Sequence, residues 1–563
     1  MTTGAPADGR SAWLRPLPGD RLLHALLVFS LAVAAYLPAV SNDFAYDDLP
    51  IVALDERVRT FDVPAILTGG YWQDTASVLY RPATTLSYAL DWKISDGTPG
   101  WSHAVNMMWH GVVSVLVLLL LRAFRVPPAA ALVAAAVFAV HPVHVEAVAN
   151  IVGRAELMAA AFTLAAALLF TLPARTLRTA AALTLLLTLF ALALLSKESA
   201  VMLPALLVLT DAGTRRLRPG RVRAWLRVRL PSLLGLAAVL ALYFGTRHVV
   251  LGAMTPGDLD PSLEVLDSPL HRIYTALQAW PQYARLLFYP RVLLADYGPR
   301  IMLPATQLNA AALLGAGLIT LCIGGGMAAW RRRDPLAAAA LLWFPVALLP
   351  ASNLLIPIGV LIAERTLYLP SIALSMGIAA AAIRMYGGFT PARPVRRVAT
   401  AAVIGLTLGL LTARTLIRIP DWRNTNTVFF ALLQDRPDAF RGVWHAARLA
   451  ASHGSPDTAM RLHTEAIRLW PYRPRLLREA VIYAAANGRP DWSRQLAEFG
   501  LAHVPDDLVV RRFHAGTLLD GGDTAAARAQ ITEGLKWHPQ DSLLLMMLDA
   551  ATPPPTRNPE SGS

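Results

Sequence analysis

The sequence LLHALLVFSLAVAAYLPAV (22–40) runs directly into SNDFAYDDLPIV (41–52). The first stretch is apolar, and as an α-helix rising 1.5 Å per residue it is long enough to cross the roughly 30 Å hydrocarbon core of a bilayer. The second stretch places Asp43, Asp47 and Asp48 where that helix should end. The two stretches together predict a membrane-spanning helix that is followed by an acidic loop.

The composition extends this prediction to most of the chain. Of the 563 residues, 55% are hydrophobic and 16% are charged, whereas a soluble domain is about one-quarter charged. The net charge of +13 comes mainly from arginine. In a membrane protein such a balance is typical of basic cytoplasmic loops, so we expect no nucleic-acid partner. The single cysteine, Cys322, excludes an intrachain disulfide and a cysteine metal site.

Apolar runs of comparable character recur as far as residue 417, and their continuous pattern indicates helices and not a β-barrel. We predict an all-α, polytopic membrane bundle over 22–417, with about 11 spans or more. The stretch 271–297 is ambiguous, and two short or re-entrant helices would both fit it. The predicted spans lie near residues 22–40, 103–121, 129–147, 155–173, 177–195, 199–214, 231–249, 308–330, 336–352, 357–382 and 398–417.

The arginines predict the orientation of these spans. Arg10, Arg15 and Arg21 precede the first run, and basic clusters recur in alternate loops, the longest being RRLRPGRVRAWLRVR (215–229). Because positively charged loops stay in the cytoplasm, residues 1–21 are predicted to be cytoplasmic. The first outer loop (41–102) and the C-terminal domain would then lie on the non-cytoplasmic side of a multi-pass inner-membrane protein.

The C-terminal part repeats with a period of 34 residues, which is the tetratricopeptide-repeat (TPR) signature. We predict a TPR α-solenoid over 424–541, with a leading helix at 424–436, three repeats over 440–541, and a concave face that binds a protein partner. The tail, 553–563, is predicted to be disordered. The period is marked by Pro437, Pro471, Pro505 and Pro539. Compact residues recur with it at spacings of 12 and 7: Ala447, Ala459 and Ala466, then Val481, Ser493 and Gly500, then Ala515, Ala527 and Gly534.

Ionisable residues at or within the apolar runs are candidates for a functional site, because they are costly in a bilayer. By the predicted orientation, all of them lie at the same outer surface as Asp47 and Asp48. They come from the segments HPVHVEAVANIVGRAE (141–156), SKES (196–199), ADYGPR (295–300) and LIAERTLYLPS (361–371). The candidates are His141, His144, Glu146, Arg154, Glu156, Lys197, Glu198, Glu364 and Arg365, together with Arg81 in the first outer loop.

Several of these residues have a purely structural alternative. Glu364 and Arg365 could pair with other helices, and Lys197 with Glu198 could form an interfacial pair. His141 and His144 are three residues apart and are predicted to share a helix face. A metal held there with Glu146 is less favoured than hydrogen bonding or phosphate contact, and we predict no metal and no cofactor.

The combination of residues suggests a chemistry. A carboxylate at the mouth of a membrane bundle could deprotonate an acceptor hydroxyl. Arginines and a lysine nearby could hold a phosphate, which is the leaving group of a lipid-linked donor. A membrane-borne donor would explain the many spans, and the TPR array could present a protein acceptor.

Seven segments, in order, resemble landmarks of the transmembrane and tetratricopeptide-repeat O-mannosyltransferases, which belong to the GT-C superfamily. The resemblance implies a polyprenyl-phosphate sugar donor and inverting transfer to a hydroxyl on the non-cytoplasmic face. It matches Asp47 to the essential aspartate of the first outer loop, with Asp48 as its neighbour, and matches Arg154, Lys197 and Arg365 to charged landmarks. The segments are FAYDD, YRPATTLSYALDW, HAVNMMWHG, HPVHVEAVANIVGRAE, SKES, ADY and LPASNLLIPIGVLIAERTLYLPS.

We therefore predict a glycosyltransferase that moves a sugar, mannose by the resemblance, to Ser/Thr hydroxyls of proteins. Asp47 would be the general base, and the cationic side chains would stabilise the departing phosphate. The adjacent Asp47 and Asp48 lack the intervening residue of a DxD metal motif. The arginine-rich, lysine-poor composition is typical of a bacterial member. A glycolipid or envelope-polysaccharide acceptor is the alternative, followed by a non-enzymatic membrane scaffold or a transporter.

Overall fold

The computed structural model describes residues 19–73, 79–215, 217, 219–252, 259–386 and 394–552. Over these ranges the chain is helical and contains no β-strand, which confirms the predicted all-α class. Most of the predicted cytoplasmic N-terminus (residues 1–18) and the predicted disordered tail (553–563) lie outside the described residues.

The chain forms two compact units. The membrane unit extends to Tyr297 and includes Met302–Ala431, and the repeat unit consists of Gly298–Ile301 with the residues from Leu432 onward. Helices of ten residues or more in the membrane unit are numbered in chain order. They are α1 (Gly19–Tyr36), α2 (Pro82–Ser95), α3 (Pro99–Ala123), α4 (Pro128–Val140), α5 (Arg154–Phe170), α6 (Ala180–Ser196), α7 (Leu203–Thr214), α8 (Val222–Leu251), α9 (Pro269–Phe288), α10 (Ala310–Arg331), α11 (Pro335–Leu348), α12 (Ile372–Tyr386) and α13 (Pro394–Arg418).

Among the described residues, six helices are long and apolar enough to cross a bilayer. The bent pair Pro128–Val140 and Pro142–Val148, which turns through 46°, would make a seventh span. Shorter apolar helices are α6, α11 and α12. These helices are those of a multi-pass membrane protein. The six long segments are Asp20–Ser41, Pro99–Ala123, Ile151–Phe170, Val222–Leu251, Ala310–Arg331 and Val398–Trp422.

The structure differs from several of the sequence-based spans. The run 129–147 is broken after Val140, where the chain bends by 46°. The run 357–382 is helical only from Ile372, because Pro357, Gly359 and Pro370 interrupt its first half, which forms irregular chain and a 3-10 turn. The run 199–214 contains only the 12-residue helix α7. The ambiguous stretch 271–297 contains one 20-residue helix, α9, and not two short helices.

The loops of the membrane unit gather into two groups. In one group, Asn42 Nδ2 donates to the carbonyl oxygen of Trp422 (3.2 Å), and the Arg365 N–H donates to Glu146 (2.9 Å). We call this group the charged end. It comprises residues 41–54, 141–153, 197–202, 349–371 and 419–424. In the other group, Arg215 donates to the carbonyl oxygen of Leu172 (2.8 Å). Alternate loops thus meet, as the arginine pattern predicts for a bundle of antiparallel helices.

The repeat unit consists of helix pairs that recur every 34 residues. All nine compact residues singled out in the sequence are buried at the helix crossings. A Cβ at Gly500, for example, would lie 2.9 Å from Leu477 Cδ2, so the second helix of a pair approaches closely only because the residue is small. After α14 (Thr425–Asp435) come α15 (Phe440–Ser452), α16 (Pro456–Leu469), α17 (Pro474–Ala486), α18 (Pro490–His503), α19 (Leu508–Asp520), α20 (Thr524–Trp537) and α21 (Ser542–Ala551).

Ion pairs connect successive repeats with the same period. Arg478 in α17 pairs with Asp507 (2.8 Å), the N-cap residue of α19, and Arg512 in α19 pairs with Asp541, the N-cap residue of α21. Each carboxylate also accepts a hydrogen bond from a backbone N–H of the helix that it caps. The N-cap aspartates thus stabilise their own helix and its contact with the preceding repeat.

Candidate active site

The acidic loop that follows α1 holds its two neighbouring aspartates in different environments. Asp48 is completely buried, and its carboxylate accepts hydrogen bonds from the N–H groups of Ala45 (3.1 Å), Ile151 (3.3 Å) and Val152 (2.8 Å). Burial raises the pKa of Asp48 to about 7, and these hydrogen bonds oppose the rise. Asp48 therefore attaches the acidic loop after α1 to the 151–152 turn.

Asp47, by contrast, is half-buried and interacts electrostatically with Arg365. The Asp47 carbonyl oxygen accepts from Ile51 N–H at the start of a short π-helical turn, Leu49–Ala53. Of the two aspartates, Asp47 is thus the one that solvent or a substrate could reach.

Arg365 is held by Glu146. The Glu146 side chain is buried on the short helix Val145–Val148, and its Oε2 accepts from the Arg365 backbone N–H at 2.9 Å. Its Oε1 accepts from the Arg365 guanidinium. Arg365 also interacts electrostatically with Glu156. The guanidinium is therefore oriented by Glu146 and faces further carboxylates from two other segments.

Lys197 pairs with Glu156 at the end of α6. The Lys197 ammonium donates to Glu156 Oε1, and it lies within electrostatic reach of Arg81 and Arg365. Burial lowers the pKa of Lys197, while the carboxylate of Glu156 opposes that decrease. The sequence-based alternative, in which Lys197 pairs with its neighbour Glu198, is wrong, because Glu198 pairs with Arg81.

Glu198 pairs with Arg81, the residue that precedes α2. Arg81 Nη2 lies 2.8 Å from Glu198 Oε2, and the Tyr80 N–H donates to Glu198 Oε1 at 3.1 Å. The Arg81 guanidinium also lies over the ring of Tyr71, 4.8 Å from its centroid. Burial alone would raise the pKa of Glu198, but the Arg81 guanidinium reverses this effect and holds it below the ordinary value.

The structure thus brings seven of the predicted residues into one group. We call it the cation cluster: Arg81, Lys197 and Arg365 with Glu198, Glu156, Glu146 and Asp47. The side chains of the three cations are 14%, 12% and 21% exposed, respectively, so each retains an accessible edge. A polyanionic group could bind there without displacing the carboxylate partners.

Arg154 is different, since its side chain is 0% exposed. Its guanidinium pairs with Asp91 and donates to Asn106 Oδ1 (2.8 Å) and to the carbonyl oxygen of Ser102 (2.9 Å). It also lies over the ring of Tyr88, 5.0 Å from the centroid. These contacts connect α2, α3 and α5 beneath the charged end. The sequence-based prediction that Arg154 binds a phosphate is therefore not supported, because no edge of its guanidinium is accessible.

The two histidines are not on one helix face as predicted, because α4 ends at Val140 and the chain bends there. His141 Nδ1 accepts from the Val143 N–H (3.2 Å), so its Nε2 carries the proton and donates to the carbonyl oxygen of Leu287 (3.0 Å). His141 is therefore a neutral ring that joins α4 to the end of α9.

His144 makes a similar structural contact. Its Nε2 lies 2.8 Å from Ser371 Oγ, whose own proton is donated to the carbonyl oxygen of Tyr368 (2.7 Å). His144 Nε2 must therefore be the donor, and the ring packs against Tyr368 with centroids 4.8 Å apart. These hydrogen bonds of His141 and His144 go to groups outside the cation cluster.

Glu364 adjoins Arg365 in sequence but faces another way. Its carboxylate is buried and accepts from the Leu294 N–H and from the Tyr297 hydroxyl (2.9 Å). Arg418 Nη2, at the end of α13, lies 3.8 Å from Glu364 Oε2. Burial raises the pKa of Glu364 to about 7, and Arg418 opposes the rise. Glu364 thus holds Leu294 and Tyr297 at the charged end.

Residues outside the predicted set also contribute to this end. Tyr71 covers Arg81, Tyr46 forms the turn beside Asp47, and Arg418 faces Glu364. Arg418 could have been predicted as a residue of this end, because it lies at the very end of a predicted span. The two tyrosines could not, because aromatic residues are common at membrane surfaces. In the described part of the chain, no group of three or more His, Cys, Asp or Glu residues is arranged to hold a metal ion.

Comparison with known proteins gives a consistent relationship. No protein-family model matches the chain. Protein O-mannosyl-transferase F38B6.6 of Caenorhabditis elegans is 27% identical over 481 residues, which cover 81% of this chain and 65% of the nematode protein. Protein O-mannosyl-transferase TMTC3 of Mus musculus is 28% identical over 482 residues (77% of this chain, 51% of the mouse protein). TMTC4 of Homo sapiens is 26% identical over 500 residues (78% and 65%).

This chain is a relative of the TMTC protein O-mannosyl-transferases. It spans about half to two-thirds of the length of these curated relatives. The segments that resemble the TMTC family in sequence carry all seven residues of the cation cluster.

Proposed function

We propose that the chain is an integral-membrane glycosyltransferase that moves mannose from a polyprenyl-phosphate donor to Ser/Thr hydroxyls of proteins. The observation that carries the proposal is that the half-buried Asp47 carboxylate lies within electrostatic range of Arg365, whose guanidinium is held by Glu146. The TMTC relatives, whose names describe protein O-mannosyl transfer, support the sugar and the acceptor class.

In this proposal Asp47 is the general base. Its carboxylate takes the proton of the acceptor hydroxyl as the hydroxyl oxygen attacks the anomeric carbon of the sugar. The bond from that carbon to the phosphate oxygen breaks, both bonding electrons leave with the lipid phosphate, and the configuration at the carbon inverts. Asp48 would act indirectly, because its carboxylate already accepts three backbone N–H groups.

The leaving phosphate would be stabilised by Arg81, Lys197 and Arg365. Arginine has five N–H donors in a planar fork, so Arg365 can bind Glu146 and still offer donors to a phosphate. Lys197 supplies a compact charge from the end of α6. Glu146, Glu156 and Glu198 orient the three cations before the donor arrives, which lowers the cost of reorganising them in the transition state.

We further propose the topology of about 11 spans with a cytoplasmic N-terminus in the inner membrane of a bacterium. The contacts between alternate loops support this topology. They are expected if the shorter helices also cross the membrane and complete the bundle, and these helices are α4, α6, α7, α11 and α12. The arginine-rich loop 215–229 would face the cytoplasm. The cation cluster, at the opposite ends of the helices, would lie on the non-cytoplasmic face.

The C-terminal unit is proposed to be a TPR solenoid that presents the protein acceptor. Helix pairs at a 34-residue spacing, with buried compact residues at their crossings, support this assignment. Arrays of such pairs form an extended concave surface that is suited to polypeptides.

The test is sugar transfer by the purified full chain in detergent, with radiolabelled polyprenyl-phosphate mannose and a Ser/Thr-rich peptide. Asp47→Asn should lower the rate about 100-fold or more while leaving donor binding unchanged. Asp43→Asn is the matched control, since Asp43 lies in the same loop and its carboxylate accepts from its neighbour, the Phe44 N–H (2.7 Å). Full activity of Asp47→Asn would exclude the proposed base.

The acceptor is tested in the same assay with glycolipid and envelope-polysaccharide extracts in place of the peptide. Transfer to these acceptors but not to the peptide would select the alternative acceptor class. Absence of transfer from the donor to any acceptor, with a folded protein, would favour a non-enzymatic scaffold or a transporter.

A further inference from the structure

We propose that Thr425 and Phe429, which follow the last membrane helix, are positioning residues for the loop that carries Asp47. They hold Tyr46 in a left-handed backbone conformation, and this conformation directs Asp47 toward Arg365. The inference rests on the proposed role of Asp47 as the base, and it assigns a catalytic contribution to a segment more than 370 residues away in the chain.

Tyr46 has an unusual backbone. Its φ angle is +53°, a region that residues with a bulky side chain rarely adopt. The conformation forms a tight turn, in which the Asp48 N–H donates to the carbonyl oxygen of Ala45 (2.9 Å) and the Leu49 N–H donates to that of Tyr46 (3.3 Å). Such a backbone persists only where surrounding contacts impose it, and it is enriched at functional sites.

The contacts that impose it come from the segment after α13. The Tyr46 N–H donates to Thr425 Oγ1 at 2.9 Å, and the Tyr46 ring meets the Phe429 ring edge-on with centroids 5.3 Å apart. Phe429 is itself buried. One contact holds the backbone of Tyr46 and the other holds its side chain.

Thr425 is in turn fixed by the start of α14. The side chain of Asn424 accepts from the Thr427 N–H (3.0 Å), and the Thr427 hydroxyl accepts from the Asn424 N–H (3.0 Å). This reciprocal cap defines the first turn of the helix, so the Thr425 hydroxyl is presented in one direction. Nearby, Asn42 Nδ2 donates to the carbonyl oxygens of Ile419 (3.4 Å) and Trp422 (3.2 Å).

The consequence for chemistry lies in the position of Asp47. Asp47 lies within electrostatic range of Arg365, and Asp48 holds the other side of the turn against the 151–152 backbone. If the Tyr46 backbone relaxes to an ordinary conformation, the direction of the next residue changes. A carboxylate misplaced by about 1 Å can lose up to about 100-fold in rate.

The decisive variant is Thr425→Val, which keeps the shape of the side chain but removes the hydroxyl that accepts from Tyr46. We expect kcat for mannosyl transfer to fall about tenfold while KM for the donor stays unchanged. Thr425→Ser, which restores the hydroxyl, should recover most of the loss. Phe429→Leu should lower kcat in the same direction by removing the ring contact.

Two results would overturn the inference. In the first, Thr425→Val has wild-type kcat. In the second, Thr425→Ser is as impaired as Thr425→Val, which would indicate general damage to the α14 turn. Thermal unfolding of each variant in detergent is measured alongside, and a loss of kcat in a variant with unchanged thermal stability supports positioning.

Asp47→Asn in the same assay distinguishes this inference from the proposed function. If Asp47→Asn is inactive and Thr425→Val is fully active, only the positioning inference fails. If Asp47→Asn is fully active, the proposed base fails and the role of Thr425 with it.

Discussion

The Glu146 carboxylate accepts hydrogen bonds from both the backbone N–H and the guanidinium of Arg365, which lies 219 residues further along the chain. This double contact fixes both the main chain and the charge of Arg365 at the charged end. The contact also gives a partner to the Arg365 N–H, which has no helical hydrogen-bond ladder to join in the irregular chain before α12.

Arg365→Lys is predicted to lower kcat/KM for the lipid-linked donor about 10- to 100-fold, as expected for the loss of charge-assisted hydrogen bonds. Lysine retains the positive charge but cannot bind Glu146 and a phosphate through a planar fork. Donor-concentration series of sugar transfer measure the effect. Arg384→Lys is the control, since Arg384 pairs with Asp334 and its side chain is 59% exposed. Equal activities of the two variants would contradict a specific role of the guanidinium.

Removing Arg154 is predicted to destabilise the membrane unit by about 3–5 kcal/mol, because Arg154→Ala removes the cation that pairs with the buried carboxylate of Asp91 and leaves it the Ser102 hydroxyl. Thermal unfolding of the purified protein in detergent measures this loss. The double variant Arg154→Met/Asp91→Leu should recover part of it, since no buried charge then remains. Arg384→Ala, which breaks an exposed pair, should cost about 1 kcal/mol or less. A stable but inactive Arg154→Ala protein would instead favour direct contact with the donor.

The ion pair between Arg81 and Glu198 is predicted to make stability depend on pH. The pKa of Glu198 in the folded protein lies below its ordinary value of 4.5. The pair therefore contributes stability above that value, and the contribution is lost as pH falls through the folded-state pKa. Wild type should unfold at a higher temperature than Glu198→Gln at neutral pH, and the difference should shrink as the pH falls below 4.5 and the carboxylate becomes protonated. A difference that grows on acidification would contradict the assigned sign.

Gly315→Ala is predicted to weaken the contact between α9 and α10 strongly. A Cβ at Gly315 would lie 2.0 Å from the carbonyl oxygen of Leu277, so the two helices must move apart. Gly317→Ala, two residues along the same helix, is the matched control because a Cβ there meets nothing within 4 Å. It should be neutral or stabilising by up to about 1 kcal/mol through helix propensity. Equal unfolding temperatures would show that the helices do not approach closely at Gly315.

The helical class and most helix positions followed from the sequence, because hydropathy and the 34-residue period are local properties. Most predicted apolar runs lie on helices. The structure departs from them at 357–371, where Pro357 and Pro370 occur, at the bend between Val140 and Pro142, and at 199–202, which forms a 3-10 turn. The membership of the cation cluster was also largely predictable. Charge that cannot remain in lipid must lie at helix ends, and the arginine pattern indicated which ends meet.

Only the tertiary structure decided which charges pair and which residues remain accessible. Arg154 and Arg365 look alike in the sequence, yet one is enclosed by Asp91 and Asn106 while the other keeps an exposed edge. Asp47 and Asp48 are neighbours, yet the turn at Tyr46 buries one carboxylate against the 151–152 backbone and leaves the other half-exposed. The physical reason is that burial and pairing depend on contacts between residues 41 to 379 positions apart, about which local hydropathy and charge spacing carry no information.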